Sequence, residues 1–132
     1  MTRKKGFTLV ELVVVVMILG ILAAVAAPKL LGTSQIATEN GTRQTLAVIR
    51  DAIERYAAEN GGSLPPAPAT DLITNGLLRS PFPECKLGAN AGDATVAVET
   101  DGAGWTIGGT EGWRYDSVDG DFIINDAAYS TW

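Results

Sequence analysis

The chain has 132 residues, of which 46% are hydrophobic and 19% charged, and its formal net charge is −5. Beyond its apolar N-terminus about 100 residues remain, enough for one small domain. With one cysteine and no histidine, the chain lacks a thiol–imidazole pair, a serine–histidine triad and a zinc site of the usual Cys/His type, so an enzyme is not expected.

The charge is distributed unevenly along the chain. Arg3, Lys4 and Lys5 stand within the first six positions, whereas residues 7–132 carry 7 basic and 15 acidic side chains, a net charge of −8. No basic run follows Lys5. An acidic exterior disfavours nonspecific binding to phosphate backbones, so nucleic acid is not an expected partner.

A continuous apolar segment follows the basic cluster. Residues 7–27 are interrupted in polarity only by Thr8 and Glu11, and as a helix they would reach about 31 Å, the thickness of a bilayer core. The basic cluster is expected to hold the N-terminus in the cytoplasm. A cleaved secretory signal peptide and a plain signal anchor are the alternatives, but neither accounts for Glu11.

Glu11 raises a question of charge. A carboxylate within a membrane span costs on the order of 2.5–3.5 kcal/mol and is expected to have a partner. No basic residue lies between Phe7 and Ala27, so the sequence predicts no partner within the written chain. Cleavage between Gly6 and Phe7 would create one, because the new amine is cationic and lies one helical turn before Glu11. It could pair within the chain or with a neighbouring subunit, where it would fix register.

The stretch KGFTLVEL, Lys5 to Leu12, resembles the class III signal of type IV pilins and type II secretion pseudopilins. In that family a prepilin peptidase cleaves after the residue matching Gly6 and methylates the amine of the residue matching Phe7. The residue matching Glu11 helps recruit subunits into a helical filament. The resemblance implies these roles here, and it also implies weak points of the helix at Gly20 and Pro28, two residue types that lower helix stability.

The predicted organisation is a basic leader at residues 1–6, a transmembrane and assembly helix at 7–28, and a periplasmic globular domain at 29–132. One helix is expected from about residue 7 to 59, because Asn60-Gly61-Gly62 predicts a helix end. Its second half is amphipathic, with an apolar stripe at helical spacing. The stripe consists of Leu46, Ile49, Ile53, Tyr56 and Ala57.

The C-terminal part predicts a short helix and a small sheet. Thr70 or Asp71 would cap the helix and Gly76 would end it. Four strands are expected at residues 95–99, 104–107, 112–115 and 121–125, separated by Asp-Gly and Gly-Gly turns. The fold class is therefore α+β and pilin-like: a long N-terminal α-helix packed against a small C-terminal antiparallel β-sheet. The side chains expected to cover the helix are Val96, Val98, Trp105, Ile107, Trp113, Tyr115, Phe122 and Ile124.

Two groups of side chains could bind a ligand instead of having only a structural role. The aromatic residues could line a groove, although packing in the core is favoured. Asp116, Asp119 and Asp121 are a weak calcium candidate, because calcium prefers several oxygens from one loop. Their spacing is not that of an EF-hand, and a solvated hairpin turn is the favoured interpretation. No cofactor and no firm metal site are predicted.

The resemblance implies a structural subunit of a pseudopilus that supports type II protein secretion. Expected partners are identical subunits, minor pseudopilins, a prepilin peptidase, an inner-membrane assembly platform and the bilayer. The alternative within the family is a type IV pilin or minor pilin for adhesion, motility or DNA uptake. The single Cys85 excludes the C-terminal disulfide of many adhesive pilins, and Glu11 argues against the tip pseudopilin. Outside the family, a monomeric membrane-anchored binding domain is the alternative.

Overall fold

The computed structural model describes residues 6–132, apart from the side chains of Leu30 and Leu31. The predicted leader charges Arg3, Lys4 and Lys5 lie outside the described residues. Internal contacts divide the chain into two units, residues 1–37 and 38–132. The elements are α1 (Leu9–Glu59), α2 (Pro68–Thr74), β1 (Val96–Glu99), β2 (Trp113–Asp116) and β3 (Phe122–Ile124). The predicted α+β class, with a long N-terminal helix and a small C-terminal sheet, is confirmed.

Helix α1 ends where the sequence predicted. Gly61 and Gly62 follow it with φ values of 67° and 90°, a left-handed backbone that glycine adopts without a Cβ penalty. The Gly62 amide donates to the carbonyl of Ala57 at 2.7 Å, the closing bond of a Schellman motif. The local sequence therefore determines this helix end.

Helix α2 begins earlier than predicted. Pro68 occupies its first turn, where the fixed φ of proline suits a helix start. Asp71 lies inside the helix, and its Oδ2 accepts a hydrogen bond from the Ala67 amide at 2.8 Å. The prediction that Thr70 or Asp71 precedes the helix as its cap is therefore wrong, whereas Gly76 follows the helix with a φ of 71° as expected.

The sheet has three strands in the order β1-β2-β3, and its orientation corrects the prediction. β1 pairs with β2 in parallel, with Val96 opposite Trp113, whereas β2 pairs with β3 antiparallel, with Tyr115 opposite Phe122. The predicted strand at residues 104–107 is not a strand. Residues 100–112 form a connection of about the length that a parallel pair requires. They carry the chain back without joining the sheet, so β2 takes the place beside β1.

The core of residues 38–132 lies between the apolar stripe of α1 and the sheet. Leu46, Ile49 and Ile53 are buried as predicted, and fully buried Trp113 and Phe122 face them in the same cluster. The rings of Trp113 and Phe122 are 5.4 Å apart, so these aromatic residues belong to the core rather than to a groove. Burial of each such side chain stabilises the fold by about 1.5–3 kcal/mol. Four predicted members are not in the buried core: Val96 is partly buried against it, Val98 is 38% exposed, and Trp105 and Ile107 lie in the connection.

The other face of β2 is also buried, which an alternating strand pattern did not predict. The Arg114 guanidinium donates from Nε to Oδ1 of Asn125 at 3.0 Å and from Nη2 to the carbonyl of Gly108 at 2.8 Å. Its Nη1 forms an ion pair with Glu99. Arg114 thereby joins β1, the end of β3 and the connection between β1 and β2, which leaves all four residues of β2 buried.

Candidate functional site

The candidate site is the start of α1, where the predicted cleavage and assembly residues lie. Gly6, Phe7 and Thr8 precede the helix, and Leu9 is its first residue. The Thr8 amide and the Thr8 hydroxyl both donate to Oε2 of Glu11 at 2.8 Å. In return, the Glu11 amide donates to Oγ1 of Thr8 at 3.3 Å. The side chains of Thr8 and Glu11 thus satisfy each other's backbone amides.

This arrangement is a capping box, the pattern in which Thr at the N-cap and Glu three residues later close the first helical turn. The sequence signal for it is Thr8-Leu9-Val10-Glu11, directly before an apolar run. The prediction that Glu11 has no partner in the written chain is therefore wrong. Its carboxylate already accepts two hydrogen bonds from Thr8, before any new amine exists.

The following part of α1 is apolar on all sides, and its large side chains are exposed. Leu9 is 78% exposed, Val14 is 44% exposed and Val25 is 60% exposed. The helix is long and apolar enough to cross a membrane by length and composition, and no part of its most apolar window is buried. So large an apolar surface requires lipid or other protein as its surroundings.

Gly20 and Pro28 lie inside α1, which continues through both. Pro28 has no amide hydrogen to donate to the carbonyl of Ala24, so one rung of the helical ladder is absent. Nothing lies within 4 Å of the position that a Cβ at Gly20 would take. The structure thus places both residues in a continuous helix, and the weakness predicted for a filament stays a prediction.

The acidic residues of the β2–β3 hairpin do not form a cluster of metal ligands. Oδ1 of Asp116, which is 3% exposed, accepts hydrogen bonds from the amides of Val118 at 2.8 Å and Asp119 at 3.4 Å. The side chains of Asp119 and Asp121 are exposed. Within residues 6–132 no group of three or more Asp, Glu, Cys or His side chains is placed to hold a metal ion. Asp116 instead closes the turn.

Cys85 is buried, and its Sγ lies 3.3 Å from the carbonyl of Leu87. Burial raises the pKa of the Cys85 thiol, so the thiolate that would be needed for nucleophilic or redox chemistry is disfavoured. The sequence did not indicate whether this thiol was accessible. Its position in the core gives it a packing role.

Comparison with known proteins also points to the N-terminal segment of the chain. The family model described as the prokaryotic N-terminal methylation motif matches residues 1–27. The chain is 32% identical over 84 residues to type II secretion system core protein G of Klebsiella pneumoniae, a match that covers 64% of this chain and 57% of the relative. The corresponding protein of Vibrio cholerae is 35% identical over 81 residues, which cover 61% of this chain and 53% of the relative.

A pilin is also among the relatives. The type IV narrow pilus major component PilA5 of Thermus thermophilus is 42% identical over 50 residues, 38% of this chain and 43% of the relative. The matches span about half the length of these curated relatives. No solved structure matches the chain. These similarities confirm the resemblance to the type IV pilin-like family and to the major subunit of type II secretion systems.

Proposed function

We propose that the chain is a structural subunit of a pseudopilus, a helical filament assembled from the inner membrane to support type II protein secretion. A prepilin peptidase would cleave between Gly6 and Phe7 and methylate the Phe7 amine. The globular part would lie in the periplasm and the N-terminus in the cytoplasm. Its partners would be identical subunits, minor pseudopilins, the peptidase, the assembly platform and the bilayer. A structural subunit needs no catalytic residues.

The observation that carries this proposal is the uncovered apolar helix with one carboxylate at its start. Side chains from Leu9 to Val25 are about half exposed or more. In the membrane, lipid would cover them. In a filament, the same surfaces of neighbouring copies would replace the lipid, and packing of helices would then provide the contacts that lipid gave before.

Glu11 would have a role at each stage. In the uncleaved chain its carboxylate accepts two hydrogen bonds from Thr8. Cleavage after Gly6 would place a cationic amine on Phe7, next to the capping box. That amine could compete with Thr8 for Glu11, or it could bind Glu11 of the adjoining subunit. Either pairing would neutralise a charge that lipid solvates poorly, and pairing between subunits would also set their register.

Two substitutions with a matched control test the proposal. Gly6→Ala is expected to block processing, so that residues 1–6 stay attached in the intact mass of the protein. Glu11→Gln keeps the size and a hydrogen-bond acceptor but removes the charge. It is expected to be processed normally and to be absent from sheared filaments. Normal filaments from Glu11→Gln would contradict the pairing of charges, whereas Glu11→Asp is the control that keeps the charge.

The second candidate function is that of a type IV pilin or minor pilin for adhesion, motility or DNA uptake. The match to a pilus component of Thermus thermophilus favours it, but that match covers 38% of the chain, against 64% and 61% for the secretion proteins of Klebsiella pneumoniae and Vibrio cholerae. Deletion of the gene separates the two. Loss of exported enzymes with intact surface pili supports the secretion role, and loss of pili with normal export supports the alternative.

A further inference from the structure

The chain contains the dipeptide Asn-Gly three times, at Asn40-Gly41, Asn60-Gly61 and Asn75-Gly76. Asn followed by Gly is the pair most open to spontaneous deamidation, because glycine places no side chain in the path of the backbone nitrogen. All three asparagines are exposed, so access to water does not distinguish them. Their backbones do, because the three glycine amides are engaged differently.

Gly41 lies inside α1, where each amide donates to the carbonyl four residues back. Gly76 follows α2, and its amide donates to the carbonyl of Ile73 at 3.0 Å. Gly61 follows α1 in the equivalent position, but its amide donates no hydrogen bond to any residue from 6 to 132. A Cβ at any of the three glycines would meet nothing within 4 Å, so the amide hydrogen bond alone distinguishes them. The Gly61 nitrogen is therefore the least restrained of the three.

We propose that Asn60 is a site of spontaneous deamidation and that the fold selects it over Asn40 and Asn75. The Gly61 amide nitrogen loses its proton to base and attacks Cγ of Asn60. The C–N bond of the side-chain amide breaks and ammonia leaves, which closes a five-membered succinimide. Water then opens the ring at either carbonyl to give aspartate or isoaspartate. No oxidant or enzyme is required, and this inference does not depend on the proposed function.

The modification would alter the end of α1. Nδ2 of Asn60 donates to the carbonyl of Tyr56 at 2.8 Å, and a carboxylate in its place has no proton to donate. The new negative charge would face the carbonyl end of the helix, where negative charge is unfavourable. Isoaspartate also inserts a methylene into the main chain directly before the Gly61-Gly62 turn. Each product loosens the junction from α1 to Leu64.

The test follows all three sites in one sample. The full chain in detergent is incubated at mildly alkaline pH, and fragment-ion mass spectrometry locates each replacement of NH by O. We expect Asn60 to convert roughly threefold to tenfold faster than Asn75, the effect of one backbone hydrogen bond on the rate. Asn40 is expected to convert more slowly than both, because its helix must open first. Equal rates at Asn60 and Asn75, or a faster rate at Asn40, would overturn the proposal.

A denatured sample separates the fold from the local sequence. In urea the three glycine amides are equally free, so the three rates are expected to converge. If Asn60 kept the same advantage in urea, neighbouring residues rather than the fold would select it, and the structural argument would fail. Asn60→Gln is the matched variant, because a glutamine would have to close a larger ring. It is expected to abolish conversion at position 60 while Asn75 reacts as before.

Discussion

Replacement of Glu99 by alanine would leave a buried guanidinium without its counter-charge. The side chain of Arg114 is 10% exposed and that of Glu99 is 24% exposed. Loss of one partner of a buried ion pair costs about 3–5 kcal/mol. Glu99 is partly solvated, and Arg114 keeps Asn125 and Gly108 as acceptors, so we expect Glu99→Ala to lower the free energy of unfolding by about 3 kcal/mol, at the low end of that range.

Two variants separate charge from geometry. Glu99→Gln keeps an oxygen acceptor for Arg114 and is expected to cost less, about 1–2 kcal/mol. The second variant, Glu84→Ala, breaks the ion pair between Glu84 and Lys86, whose side chains are 50% and 58% exposed, respectively. No measurable change in the free energy of unfolding is expected, because exposed ion pairs contribute little.

The assay is thermal unfolding followed by tryptophan fluorescence, because Trp113 is fully buried. A loss of about 3 kcal/mol lowers Tm by roughly 12 °C or more in a domain of this size. A Glu99→Ala variant as stable as Glu84→Ala would refute the argument that Arg114 depends on Glu99. A Glu99→Gln variant as unstable as Glu99→Ala would show that the charge alone matters and that the retained acceptor does not.

Three further predictions concern single side chains. Thr8→Val is expected to weaken the start of α1 by about 1 kcal/mol and so to speed amide exchange there, whereas Thr8→Ser should exchange like the wild type; unchanged exchange in Thr8→Val would contradict the capping box. Tyr115 Oη is buried without a hydrogen-bond partner in the described chain, and burial raises the pKa of Tyr115 to about 12. The folded state therefore disfavours the tyrosinate, so the free energy of unfolding falls as pH rises from 10 towards 12. Tyr115→Phe should remove that fall in a pH series of urea titrations, without lowering the free energy of unfolding at neutral pH. Gly112→Ala is expected to destabilise, because the added methyl would overlap the carbonyl oxygen of Asp93; a Tm equal to that of Gly41→Ala, whose position lies in α1 with open space around an added methyl, would be inconsistent with this.

Much of the N-terminal half could be predicted from the sequence because its signals are local. The apolar run and the Asn-Gly-Gly helix end each depend only on residues within one short stretch of the chain. The capping box is equally local, and the Thr-x-x-Glu pattern would have identified the partner of Glu11. A carboxylate at the start of a helix needs no cation, because here a hydroxyl and an amide three residues away donate to it.

The C-terminal half was predicted less well because its decisive contacts are distant in sequence. Trp113, Tyr115 and Phe122 follow the alternating pattern of a half-buried strand, and the structure places them in the core. The same pattern predicted that Val98, Trp105 and Ile107 cover the helix, but they do not join the buried core. An alternating pattern reports the face on which a side chain lies, but not which neighbour the strand pairs with.

The sequence by itself determined the membrane-length helix, its end at Glu59 and the hairpin between β2 and β3, since each depends on residues in one short stretch. Only the tertiary structure decided that β1 and β2 run parallel. Pairing of strands joined by residues 100–112 is settled by long-range contacts, and here Arg114 binds Glu99, Asn125 and Gly108 together. Which Asn-Gly pair has a free amide depends on the backbone conformation at each site, because three identical dipeptides differ only in the backbone around them.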